Sequence, residues 1–282
     1  MKFLVPAELD GITVKTFLRK HKNVSARLLA KLKRVENGMT VNGQSVRSVD
    51  ILRGGDEIVI TMPEDNLSFE PQESEIEVVY EDNDVIVFNK PPHMTVHPVG
   101  KKQDGTLANA AAAYARSKGE SYTLRAVNRL DKDTSGLVLA AKNSFSAAFL
   151  QGRAEKVYIA LCQGRITGTG TIDKPLRIKE GHSIQRETGE GGLRAVTHYE
   201  VIKNYGDEYT LLRIRLETGR THQIRAHFSC EGYPLAGDDM YGGSRQHFPR
   251  QCLHCAEISF PHPVTGQIIK LKRDIDFFNE YR

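Results

Sequence analysis

Residues 128–142 read NRLDKDTSGLVLAAK, a polar stretch that runs without a break into an apolar one. Arg129, Asp131, Lys132, Asp133, Thr134 and Ser135 crowd ahead of Gly136, and GLVLAA then continues uncharged as a strand. A polar loop on the end of a strand is a common mount for functional side chains. Asp and Ser also cap turns and Gly bends them, so this loop alone is equally readable as a turn.

The segments on either side define the fold class. Upstream, IEVVY and DVIVFNK are apolar runs separated by EDND, a turn signal, and TLANAAAAYARSKG reads as a helix ending at Gly119. Downstream, KVYIALC, THYEVIKN and TLLRIRLE read as strands, and TGRTHQIRAHFSCEG passes from strand into a helix that stops at Gly232. HCAEISF and IIKLKR flank HPVTGQ as a hairpin, whereas RETGEGG, from Arg186 to Gly192, reads as a mobile loop. Many hairpin links and few strand–helix–strand units predict an α+β fold, a mixed and largely antiparallel sheet with flanking helices.

Charge divides the chain. The net charge is +4, but residues 1–62 hold eleven Lys or Arg against six Asp or Glu, a net of +5, leaving about −1 for the rest. A basic head on a neutral body reads either as a polyanion-binding module or as a solvated surface without a partner. VSARLLAKLKRVENG predicts a helix with Ser25 as N-cap and Gly38 just past its end. Leu28, Leu29, Leu32 and Val35 share one face, and Arg27, Lys31 and Arg34 form a basic stripe on another. The expected organisation is a small α/β module over 1–62, a linker over 63–75 with two prolines and five acidic residues, and a large domain over 76–282.

Several function classes are excluded or weakened. Hydrophobic residues make up 39% and charged residues 26%, as in ordinary globular chains. LANAAAAYA is too short to span a bilayer, and the opening MKFLVPAELDG has no export signal, so a cytoplasmic protein without membrane association is expected. Cys162, Cys230, Cys252 and Cys255 read as reduced thiols, with CLHC as two small apolar residues on a strand rather than a zinc or redox pair. A phosphate-binding loop, a strand followed by GxGxxG and a GxSxG elbow are all missing. His222 and His227 lie five apart with no acidic residue between them, which is not metalloprotease spacing.

The second dense element is TGRTHQIRAH, where Arg220, His222, Gln223, Arg225 and His227 cluster as a strand becomes a helix. Cations at a helix N-terminus oppose the macrodipole, so this placement calls for a carboxylate or phosphate nearby.

NRLDKDTSG, KVYIAL, TGRTHQIRAHF and CLHCAEI, in that order and preceded by YEDNDVIVFNKPPHMTVHP, resemble the RluA-type pseudouridine synthase family over nearly the whole chain. The basic helix with Gly38, Val41, Asn42, Gly43, Gly54, Asp56, Glu57 and Ile58 resembles a small RNA-binding module first seen in a ribosomal small-subunit protein. The resemblance implies the pseudouridine synthase fold and isomerisation of uridine in structured RNA, with large-subunit ribosomal RNA as the expected substrate and a monomer as the expected state. It implies Asp131 as nucleophile, Arg225 as its basic partner, Tyr158 stacking on the base and assisting deprotonation, and Leu253 packing in the active site. Arg129 would fill the gap left by a flipped base. Thr134, Arg220 and His222, with Arg27, Lys31 and Arg34 in the head, would contact RNA. Asn128 departs from the family's usual His. Isomerisation transfers no electrons and activates no water, so neither cofactor nor metal is implied. Two other readings stand beside it: an RNA chaperone or assembly factor that kept the fold, and a CxxC oxidoreductase.

Overall fold

The computed structural model describes residues 1–62, 69–98, 100 and 104–280. The N-terminal part is a four-stranded sheet crossed by short helices: β1 (Lys2–Leu4), α1 (Val14–Thr16), α2 (Ala26–Leu32), β2 (Met39–Val41), β3 (Gln44–Ser45) and β4 (Glu57–Ile60), in strand order β1-β4-β2-β3. Ser25 caps α2 by accepting the Leu28 N–H at 3.1 Å, and Leu28, Leu29 and Leu32 are buried as the periodicity requires. The helix is shorter than expected. It ends at Leu32, and the chain then turns back so tightly that a side chain at Gly38 would collide with the Leu32 carbonyl.

The larger part contains β5 (Glu77–Glu81), β6 (Val85–Lys90), α3 (Leu107–Ser117), β7 (Arg125–Ala126), β8 (Ser135–Ala141), α4 (Ser144–Leu150), β9 (Glu155–Gln163) and β10 (Thr169–Asp173). It continues with β11 (Leu176–Ile178), β12 (Arg186–Thr188), β13 (Val196–Tyr205), β14 (Tyr209–Leu216), α5 (Gln223–Cys230), β15 (Leu253–Pro261) and β16 (Ile268–Lys272). Ten strands form one sheet in the order β10-β13-β14-β9-β15-β8-β6-β5, with β16 added to β15 and β7 to β8. RETGEGG is not a free loop: Arg186–Thr188 pairs with Leu176–Ile178 as a two-stranded ribbon beside α5.

One pair in the large sheet, β8 with β15, is parallel, and it builds the site. Parallel strands begin at the same end, so the segments leading into β8 and β15 meet. Ser135 lies opposite His254 and Gly136 opposite Cys255, while Cys255 also faces Tyr158 on β9. Gly136 has φ 112°, and a Cβ there would run into the Cys255 backbone. The glycine is thus required by the closeness of the two strands.

The N-terminal part rests on the other end of this arrangement. The Phe3 ring packs on Phe145 of α4 at 5.9 Å, and Val264 joins the same cluster. α4 follows β8, whose seven residues span about 20 Å, so module and polar loop lie at opposite ends of that strand. The first half of the expected linker, residues 63–68, lies outside the described residues. The second half is bound to the larger part: Asn109 Nδ2 donates to the Glu70 carbonyl, and the Gln72 N–H to the Asn109 carbonyl. Among the described residues no helix is long and apolar enough to cross a membrane.

Candidate active site

Every residue of the loop Asp131–Ser135 is held by a segment distant in sequence. Lys90, buried at the end of β6, donates from Nζ to the carbonyls of Lys132 (3.1 Å), Pro91 (2.8 Å) and Met94 (2.7 Å). His93 Nδ1 meets Asp133 Oδ1 at 2.8 Å, from a backbone at φ 64°. Arg250, fully buried, donates to the Asp133 carbonyl at 3.1 Å and to Ser135 Oγ at 3.2 Å, and forks onto Glu280 at 2.7 Å. Gln251 Nε2 donates to Thr134 Oγ1 at 2.9 Å. Ser135 Oγ in turn reaches His254 Nδ1 at 2.8 Å, and burial pulls the pKa of that histidine down to about 4. Asn128 uses both halves of its amide on β8, donating to the Leu137 carbonyl and accepting the Leu139 N–H. It replaces a stretch of backbone ladder, the supporting bond this position supplies here.

At the centre, Arg225 Nη1 donates to Asp131 Oδ2 at 3.1 Å. Its Nε and Nη2 fork onto Asp238 at 2.6 and 2.8 Å, and its guanidinium lies 4.9 Å from the Tyr241 ring centroid. Burial opposes the charge on Arg225, but the two carboxylates outweigh it and raise its pKa. The requirement at the α5 N-terminus is therefore met by two acidic groups. Asp131 Oδ1 has no hydrogen-bond partner among the described residues, while its side chain is 27% exposed. One oxygen is anchored, and the other has no such anchor among the described residues.

That cleft encloses about 1480 Å³ and is bordered by Asp131, Tyr158, Arg129, Lys156, Arg215 and Arg220, among others. Tyr158 is 7% exposed, and burial raises the pKa of its hydroxyl well above the ordinary range, so it stays protonated. Arg129 is exposed and makes no hydrogen bond or ion pair to the described protein. Arg220 is exposed beside it, with Nε on the Arg194 carbonyl at 3.0 Å.

Sequence expectation and structure part at several residues. Thr134 is 1% exposed, its hydroxyl is taken by Gln251, and it does not border the cleft. His222 is turned inward, its side chain 11% exposed and 3.8 Å from Asp131 Oδ2. Leu253 is 5% exposed within the same apolar cluster as Tyr158 and does not border the cleft. Arg27, Lys31 and Arg34 are exposed in the N-terminal module, away from the cleft. Asp238 and Tyr241 were not anticipated. They sit in GDDMYGG, where acidic and glycine residues read as a turn.

The CLHC thiols are buried and unpaired. Cys252 and Cys255 are buried in different apolar clusters, and burial pushes the Cys255 thiol up to about 12. Among the described residues one group, Asp82, Asp84 and His262, has metal-binding side chains. Its oxygens already accept from protein: Asp82 from the Tyr80 hydroxyl and two backbone N–H groups, Asp84 from Asn143 and Ser146. It joins the β5–β6 and β15–β16 turns to α4 as a structural tie.

Comparison with known proteins places these features in one context. A family profile described as RNA pseudouridylate synthase matches residues 84–230, which spans the polar loop, Tyr158 and α5. An uncharacterized RNA pseudouridine synthase of Bacillus subtilis, YhcT, is 38% identical over 81% of this chain and 78% of its own. Ribosomal large subunit pseudouridine synthase D of Pseudomonas aeruginosa is 38% identical over 82% and 78%. Among solved structures, human RNA pseudouridylate synthase domain containing 1 superposes with a TM-score of 0.61 at 24% identity, over 76% of this chain and 89% of the other.

Proposed function

This chain belongs to the RNA pseudouridine synthase family, and from that premise we propose that it isomerises uridine in large-subunit ribosomal RNA in the cytoplasm, with Asp131 as the nucleophile. The observation that carries this reading is the asymmetric carboxylate at the cleft wall: Arg225 fixes Oδ2 of Asp131, and Oδ1 has no partner among the described residues.

The chemistry follows from that asymmetry. The target uridine leaves its stack at a cost of roughly a few kcal/mol, and stacking on Tyr158, worth about 1–3 kcal/mol per base, offsets part of it. Asp131 Oδ1 attacks the sugar or the electron-poor ring while the N1–C1′ bond breaks. The freed uracil turns, C5 bonds to C1′, the enzyme–substrate bond is released, the C5 proton passes to solvent, and N1, which has lost its bond to the sugar, takes a proton up. Atoms and electrons balance, and the product is an isomer of the substrate. Arg225 keeps the carboxylate ionised and in place. The protonated Tyr158 hydroxyl is a hydrogen-bond donor rather than a base, so we assign the residue to stacking. Arg129, exposed and without a hydrogen-bond or ion-pair partner among the described residues, fills the place of the flipped base, and Arg220 meets phosphate at the cleft rim. Phosphate contacts from Arg27, Lys31 and Arg34, which do not border the cleft, hold a different part of the same RNA. That footprint suits a folded RNA rather than a short single strand.

Carbodiimide primer extension across ribosomal RNA tests the substrate assignment, comparing cells with the gene, without it, and with the Asp131→Asn variant. One or more large-subunit stops lost in both altered strains are expected. Stops unchanged in every strain would reject ribosomal RNA as the substrate.

A further inference from the structure

His222 stands at the start of α5 with φ 57°, one of few non-glycine residues in the left-handed region, and its side chain makes no capping bond. A histidine in that conformation is strained, and the conformation aims its ring inward. Nδ1 lies 3.0 Å from the Tyr241 hydroxyl and Nε2 lies 3.8 Å from Asp131 Oδ2. The Tyr241 hydroxyl also accepts the backbone N–H of Arg186 at 2.8 Å. With the Arg186 N–H already on the phenol oxygen, we assign the hydroxyl proton to the bond with His222 Nδ1, which places the imidazole proton on Nε2. Burial lowers the His222 pKa against the opposing pull of Asp131, which favours the neutral, singly protonated ring.

We propose that His222 is a positioning residue, a second donor to Asp131 Oδ2 whose tautomer is set by Tyr241 and the β11–β12 ribbon. The inference rests on Asp131 being the nucleophile. Arg225 and His222 then approach the same oxygen from two sides, which leaves Oδ1 as the attacking atom. The 3.8 Å separation is just beyond hydrogen-bond length, a common state before substrate closes a site. Gln185 Nε2 donates to the Met240 carbonyl at 2.8 Å, so the ribbon grips the Tyr241 turn at two points. RNA that presses on the ribbon would act on the nucleophile through this chain of bonds.

The test separates positioning from folding. His222→Asn suits the left-handed backbone, and its short amide retains a partner for Tyr241 but does not reach Asp131. His222→Gln carries its amide nitrogen near the Nε2 position. We expect His222→Asn to melt no lower than the parent and to bind RNA equally, with the single-turnover rate at saturating RNA down about ten-fold. His222→Gln should stay within about three-fold of the parent. Tyr241→Phe, which removes the proton that sets the tautomer, should slow the reaction by about the factor seen for His222→Asn. His222→Asn at the parental rate, with Asp131→Asn inactive in the same assay, overturns the role of His222 and leaves the nucleophile standing. Equal losses in the Asn and Gln variants that track lowered melting overturn it in favour of a packing role. Tyr241→Phe at the parental rate removes the ribbon from the proposal. An active Asp131→Asn defeats the underlying reading instead.

Discussion

Arg225 is shared between two carboxylates, and the structure divides their duties. Asp238 is 1% exposed and holds Arg225 through two short bonds, whereas Asp131 is 27% exposed and holds it through one of 3.1 Å. Removing one partner of a buried ion pair costs about 3–5 kcal/mol, because a desolvated charge is left behind. Asparagine at 238 keeps the shape and one acceptor, so Asp238→Asn belongs at the lower end, about 3 kcal/mol. At about 2–4 °C per kcal/mol for a domain of this size, its melting point should fall by about 6–12 °C. Asp131→Asn leaves the Asp238 pair intact and keeps an acceptor in a single, partly exposed contact, worth about 1 kcal/mol or less, so its melting point should move by about 4 °C at most. Activity should rank the other way: Asp131→Asn inactive, and Asp238→Asn slowed but active at a temperature where it is folded. Circular dichroism melts and single-turnover assays on both variants check this. Equal melting losses, or a stable Asp238→Asn, would refute the division.

Three further outcomes follow from the same geometry. Gly136→Ala forces a Cβ into the Cys255 backbone at a positive φ; we expect little soluble protein, and a parental melting curve would contradict the parallel β8–β15 joint. Replacing Arg27, Lys31 and Arg34 together with Ala should weaken RNA binding and reduce the salt slope of log Kd by about 2–3, while the rate at saturating RNA is unchanged; filter binding across a salt series reads it. His254 has its pKa lowered from 6.5 to about 4 by burial. The unfolded chain therefore binds the extra proton in that window, and stability present above pH 6.5 is lost as pH falls toward 4, by about 3 kcal/mol. Urea titrations should show that loss, and His254→Gln should flatten it.

Much of this was legible in the sequence, for physical reasons. Apolar runs bounded by turn residues marked most strands of the large sheet. The charge cluster at the head of α5 called for an acidic partner, and Asp131 is one. Asp238 was hidden because the Asp pair in GDDMYGG carries no periodicity and the partner of Asp238 lies thirteen residues back. Thr134 and His222 share a different difficulty. Both sit in dense polar motifs, and which way a loop side chain points depends on tertiary packing, here Gln251 for one and Tyr241 for the other. The β12 strand was hidden by the glycines that follow it, since RETGEGG has loop composition and its first three residues pair only because β11 lies alongside. The overlong helix reading at Ser25–Gly38 came from following an amphipathic pattern past the point where the chain must turn back onto β2.

Pseudouridine formation replaces the C5–H bond of uridine with the bond to the sugar, so tritium at C5 is released to solvent once per turnover. Tritium release from C5-labelled ribosomal RNA, with purified Asp131→Asn beside the parent and RNA binding measured on both, tests the nucleophile most directly. The account predicts binding within about three-fold of the parent, the side chain being largely spared from phosphate contacts, and no release above background. Release from Asp131→Asn at a rate near the parent's would contradict it.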